Sequence, residues 1–62
     1  MTRLKELRLQ KKVTQQDVAD AIGCSANNYA RYERGLREPD NETLKRLSKY
    51  YGVSIDYILC ND

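Results

Sequence analysis

Residues 14–35, "TQQDVADAIGCSANNYARYERG", set two helical stretches on either side of a glycine corner. Val18, Ala19 and Ile22 recur at the spacing of one helix face, and Tyr29 and Tyr32 do the same in the second stretch. Thr14 followed by "QQD" approximates a capping box for the first helix, over about residues 15–22. Gly23 comes directly after Ile22, where a helix end favours a residue tolerant of positive φ. Ser25 is a good N-cap for the second helix, over about residues 25–34 and closed by Gly35. The spacing is that of two crossing helices, with Cys24 plugging the turn. Ala19 sits where a larger side chain would hold the pair apart. One feature resists a core explanation: Asn27 and Asn28, poor helix formers, occupy the first turn of the second helix. What those positions face is the question this stretch raises.

Helix signals recur elsewhere. Leu4, Leu7 and Arg8 share a face and predict a helix over about residues 2–12. Pro39 disfavours helix at Glu38, so "LREP" is a loop. Asp40 caps a further helix that turns Leu44, Leu47 and Tyr51 inward and ends at Gly52; Ser54 caps a short last one, "IDYILC". The best β-type run, "KYYGVSIDYI", is broken by Gly52 and lacks a hairpin turn. Five helices with short connections predict one compact all-α domain over residues 1–62. Its expected buried set is Leu4, Leu7, Val18, Ala19, Ile22, Tyr29, Leu44, Leu47, Val53 and Leu59, with Ile58 also of core type.

A chain of 62 residues buries only about 60% of its unfolded surface, so its core is small. No apolar run approaches the ~18 residues of a membrane span. The charged start "MTRLKELRLQKK" is not a secretory signal, so a cytoplasmic location is expected. Cys24 and Cys60 are too few for a disulfide framework, are expected as free thiols, and do not have zinc-site spacing. Histidine is absent, which removes the usual general base and the commonest metal ligand. With no nucleophile–base pair and no Gly-rich phosphate loop, no catalytic residue, metal, cofactor or small-molecule substrate is expected. The net charge of +2 is uneven: residues 1–37 carry eight bases and four acids, residues 38–62 three bases and five acids. Such asymmetry suits one face for a polyanion, or simply a solvated surface.

The corner at residues 15–34 is a helix-turn-helix arrangement. The segments "TQQDVADAIGCS", "YERG" and "REPDNETLKRLSKYYGVSIDYIL" closely resemble, in order and spacing, the Cro/repressor-type (XRE-like) helix-turn-helix family of bacterial and phage regulators. The resemblance covers about residues 4–60 and implies a five-helix, lambda-repressor-like DNA-binding domain. Cys24 stands where Val is more usual. Tyr29 stands where a smaller aliphatic is common, which implies looser packing there.

In this motif the first turn of the second helix enters the DNA major groove. The resemblance makes Ala26, Asn27 and Arg31 the base-facing set, with Asn28 beside them nearer the backbone. Asn can pair with adenine and Arg with guanine through two hydrogen bonds, and the Ala methyl can touch a thymine methyl. The plainer alternative makes the asparagines solvated helix starters. Gln15, Ser25, Arg34 and Arg37 are the implied phosphate contacts, the plainer alternative for Gln15 being an exposed polar residue at a helix start. Lys11 and Lys12 either approach the backbone or are ordinary solvated lysines. Glu33 beside a DNA surface needs neutralising; the resemblance pairs it with Arg8 as a fork, and the local alternative is Arg34 or Arg37. Tyr50 and Tyr51 lie in the acidic half and suit packing better than base stacking. The implied function is sequence-specific binding of double-stranded DNA by a phage, mobile-element or bacterial repressor. Homodimers on a palindromic operator are implied, with Ile55 and Tyr57 in self-contact. The alternative is the antitoxin of a toxin–antitoxin pair, which calls for a toxin-neutralising segment not visible in residues 1–62.

Overall fold

The structure, a computed structural model, describes residues 2–61. Five helices follow in order: α1 (Leu4–Lys11), α2 (Gln15–Ile22), α3 (Ala26–Arg34), α4 (Asn41–Tyr51) and α5 (Ile55–Ile58), with no strand among the described residues.

Short polar side chains set where four of them begin. Oxygens of Thr14, Ser25, Asp40 and Ser54 accept the backbone N–H of Asp17, Asn28, Thr43 and Tyr57 at 3.0, 3.1, 2.8 and 3.0 Å. Each such cap contributes about 1 kcal/mol. Thr14 and Asp17 form the reciprocal box, since the Thr14 N–H donates to Asp17 Oδ2 at 3.0 Å. That backbone donor holds the Asp17 carboxyl below the ordinary carboxylate range, and the Thr43 N–H does the same for Asp40. Helix α1 has no side-chain cap. Arg3 ties its start to α5 instead: its N–H donates to the Ile58 carbonyl at 2.9 Å and its Nη1 to the Tyr57 carbonyl at 2.7 Å.

The corner between α2 and α3 forms as the sequence predicts. Gly23 has φ +79°, and the N–H groups of Gly23 and Cys24 both reach the Ala19 carbonyl at 2.9 Å. From α4, Arg46 Nη1 donates to the Ile22 carbonyl at 3.0 Å, satisfying another acceptor left over at the end of α2. Around this corner the core gathers Leu4, Leu7, Val18, Ala19, Ile22, Tyr29, Tyr32, Leu44, Leu47 and Ile58, all buried. Helix α2 packs on α3 and α4, α1 lies against α3 and α4, and α5 closes against α4.

Four local expectations need correction. Helix α1 starts at Leu4 and ends at Lys11, because Lys12 adopts the left-handed conformation (φ +60°). That conformation costs a side chain roughly 1–2 kcal/mol. Helix α5 is a single turn ending at Ile58, so only Ile58 reaches the core, and Leu59 and Val53 stay half-buried. Tyr51 is half-buried rather than fully inward. Tyr29 is not loosely packed: it is fully buried, and its hydroxyl meets that of Tyr51 at 2.6 Å. The larger side chain fits because its polar tip has a partner on α4. Among the described residues, no helix is long and apolar enough to cross a membrane.

Candidate nucleic-acid interface

Helix α3 is two-faced for a simple reason of spacing. Tyr29 and Tyr32, three residues apart, point into the core. Asn27 and Arg31, four apart, fall on the opposite side and are exposed, with Ala26 and Asn28 half-buried at its margin. Among the described residues no hydrogen bond or ion pair engages the side chains of Asn27 or Arg31. Polar groups at this end are therefore available to an external partner. Ser25 spends its acceptor on the Asn28 N–H, and its own O–H can still donate. Arg34 and Arg37 are both exposed at the far end of the helix.

Beside α3 runs an open cleft between α1, α2 and α3. Lys5, Thr14, Gln15, Gln16, Ala26 and Arg34 are among its lining residues. The start of α2 faces it. In its first turn the Asp17 N–H is taken by Thr14 Oγ1 and the Val18 N–H by the Thr14 carbonyl. The N–H groups of Gln15 and Gln16 have no intrahelical acceptor by position, and with the helix dipole they favour an anion.

The wall of this cleft is a charged cluster. Arg8 Nε donates to Glu33 Oε2 at 2.7 Å and Nη2 to Oε1 at 3.5 Å, while Nη1 reaches the Val13 carbonyl at 3.2 Å. The hydrogen bond to Glu33 raises the Arg8 guanidinium further above its already high range. The Glu33 side chain is 3% exposed and that of Arg8 15%, so this is a shielded pair rather than a surface one. Glu33 pairs across to α1, not locally with Arg34 or Arg37. Gln15 Nε2 also donates to Glu33, at 3.1 Å to Oε1.

Several contributors to the interface carry little or no mark in the sequence. Lys5 lines the cleft one turn before Arg8, and its i, i+3 spacing to Arg8 was a usable signal. The Gln15–Glu33 bond and the Tyr29–Tyr51 pair join residues 18 and 22 positions apart, which no local pattern reveals. Lys11 lies over the Tyr50 ring at 5.1 Å, and Tyr50 packs edge-on against Tyr51. Ile55 and Tyr57 are half-buried, and Arg3 covers the Tyr57 ring at 4.2 Å, so Tyr57 offers less free surface than its position suggested. Cys24 and Cys60 are free; burial pushes the Cys24 thiol up, which makes it less reactive. No cluster of three or more His, Cys, Asp or Glu suited to a metal occurs among the described residues.

Comparison with known proteins places this geometry. A family model described as helix-turn-helix matches residues 4–58. The transcriptional regulator ImmR of Bacillus subtilis is 45% identical over 60 residues, covering 97% of this chain and 47% of ImmR. The regulator YqaE of the same organism is 50% identical over 56 residues, covering 90% of this chain and 48% of YqaE. The cryptic phage CTXphi transcriptional repressor RstR of Vibrio cholerae is 39% identical over 54 residues, covering 87% of this chain and 49% of RstR. The chain thus spans about half the length of the curated relatives it matches. Among solved structures, the P22 c2 repressor protein in complex with synthetic operator 9T superposes with a TM-score of 0.91. It is 33% identical and covers 97% of this chain and 91% of that one.

Proposed function

This chain belongs to the Cro/C1-type helix-turn-helix family of transcriptional regulators, and on that premise we propose that residues 1–62 form one sequence-specific DNA-binding domain. It acts in the cytoplasm as a repressor of phage, mobile-element or bacterial origin, by binding rather than catalysis. The observation that carries this is the face of α3. A rigidly packed helix presents Asn27 and Arg31 outward from its first two turns, with no internal partner, beside a cleft with cationic and amide donors.

The mechanism follows from the geometry. The start of α2 and the side chains of Gln15, Ser25, Arg34 and Arg37 hold phosphates and fix the register of α3 in the major groove. Lys5 joins them from α1. Asn27 then reads adenine, Arg31 guanine, and the methyl of Ala26 a thymine methyl, with Asn28 at the edge of the set. The two tyrosines beneath α3 and the Arg8–Glu33 fork set its angle, so the readers arrive pre-oriented. One protomer covers one half-site. A homodimer contacting itself through Ile55 and the exposed part of Tyr57 would match a palindromic operator.

The test is selection of bound duplexes from a random-sequence pool, followed by titration of the recovered sequence and a scrambled control. Enrichment of an inverted repeat supports the assignment. Recovery of no common sequence would overturn it.

A further inference from the structure

We infer that Glu33 is a positioning residue for DNA binding, acting by aiming the amide of Gln15 at the phosphate backbone. The inference rests on the DNA-binding role proposed for the cleft and assigns a second task to a carboxylate otherwise explained by its ion pair.

Glu33 accepts from three nitrogens of two residues: Arg8 Nε and Nη2, and Gln15 Nε2. A carboxylate oxygen that already takes the Arg8 guanidinium N–H groups acts as an acceptor, so it dictates which end of the Gln15 amide faces it. The NH2 end must turn toward Glu33. One of its two N–H bonds is spent there. The other, on the same nitrogen, remains for an incoming phosphate oxygen in the cleft that Gln15 lines. Without Glu33 the amide could flip, presenting its carbonyl oxygen to phosphate and repelling it. Ala26, the residue of α3's first turn that lines the same cleft, has no polar side-chain atom and offers no substitute anchor. Gln15 is only half-buried, so its long side chain would otherwise sample several rotamers. Holding it in place lowers the entropy lost when DNA arrives. The same carboxylate is fastened to α1 through Arg8, so α1, α2 and α3 present the phosphate donors as one unit.

The test is a double-mutant cycle on binding to a short duplex of mixed sequence at fixed salt, with each Kd corrected for folded fraction. Gln15→Ala should weaken binding about threefold to tenfold, the loss expected for one hydrogen bond. Glu33→Gln should weaken binding in the native background by a similar factor or more, and by clearly less once Gln15 is Ala. Equal loss from Glu33→Gln in both backgrounds would show that Glu33 acts only through the fold, and would overturn the inference while leaving Gln15 a phosphate contact. No loss from Gln15→Ala would overturn the phosphate contact itself, and the inference with it. A second measurement needs no Glu33 variant. In the unsubstituted protein, side-chain amide resonances of Gln15 should show one proton protected from exchange before DNA is added, and the other shifting when DNA binds. Two equally exchanging protons in the free protein would contradict the clamp.

Discussion

Removing a single oxygen atom from either of two tyrosines should have unequal effects. Tyr29 and Tyr51 share one hydrogen bond of 2.6 Å, but Tyr29 is fully buried and Tyr51 only half so. Tyr29→Phe keeps the ring in the core and leaves the Tyr51 hydroxyl able to turn to water. Its cost is that of the exchanged bond, about 0.5–1.5 kcal/mol. Tyr51→Phe takes the partner from the Tyr29 hydroxyl where water does not reach, leaving only a turn toward the nearby Glu33 carboxylate, already engaged by Arg8 and Gln15, and desolvation raises the cost to about 1–3 kcal/mol. The double Phe variant leaves no orphan and should cost less than the sum of the two. A domain of this size holds only about 3–9 kcal/mol in total, at 0.05–0.15 kcal/mol per residue, so the difference is measurable. Each kcal/mol corresponds to about 4–8 °C in Tm. Urea denaturation followed by far-UV circular dichroism gives all four values. Tyr29→Phe costing more than Tyr51→Phe, or strict additivity, would rule out a stranded Tyr29 hydroxyl. The pair also has an alkaline signature. Burial raises both phenols, Tyr29 strongly and Tyr51 up to about 12. A folded pKa above the unfolded value of about 10 stabilises the fold fully below pH 10, and that contribution is lost as pH climbs toward 12. Stability should therefore fall over that window in the native chain, and less steeply in the double Phe variant.

Other expectations follow from the same structure. Gly23→Val should destabilise by roughly 1–2 kcal/mol or more, because Gly23 has φ +79° and an added Cβ would stand 3.1 Å from Arg46 Nη1, the donor to Ile22; an unchanged Tm would contradict this. Removing Arg8 or Glu33 alone should cost about 3–5 kcal/mol, and replacing both with well-packed apolar residues less, as a thermal-melt double-mutant cycle would show. Absence of coupling would make the pair decorative. The Asp17 and Asp40 carboxyls lie below their unfolded value of 3.8, so their stabilisation is present above that pH and lost as pH falls through the lower folded values. The acid unfolding limb should flatten in the Asp17→Asn, Asp40→Asn double variant, and an unchanged limb would show the caps do not set it.

Much of the fold was legible because it is written in local chemistry. Thr14, Ser25, Asp40 and Ser54 mark helix starts through bonds to the third residue beyond, and Gly23 marks the corner, so short-range pattern sufficed. The apolar stripes Val18–Ile22 and Leu44–Leu47 were equally visible and are buried. What failed was depth. Whether Ile58 or Leu59 enters the core depends on α5 stopping after one turn, and nothing in "IDYILC" announces that stop. The fit of Tyr29 depends on Tyr51, a residue on another helix. At the candidate interface, the odd choice of Asn27 over a better helix former was the visible clue. The Arg8–Glu33 pair was legible only through resemblance, and the Gln15–Glu33 bond not at all, since each depends on how α1, α2 and α3 pack.

In the proposed mode of binding, α3 reads bases through side chains that the fold leaves unused. Asn27→Ala is the sharpest probe of this, because Asn27 is exposed and uncharged, so its loss should disturb neither the core nor the electrostatic attraction to DNA. The native protein and the variant are titrated at one salt concentration against the selected operator and a scrambled duplex. The expected result is a loss of roughly 1–3 kcal/mol on the operator, almost no change on scrambled DNA, and relaxed preference at one base pair per half-site. An equal loss on both duplexes, or none on either, would contradict it.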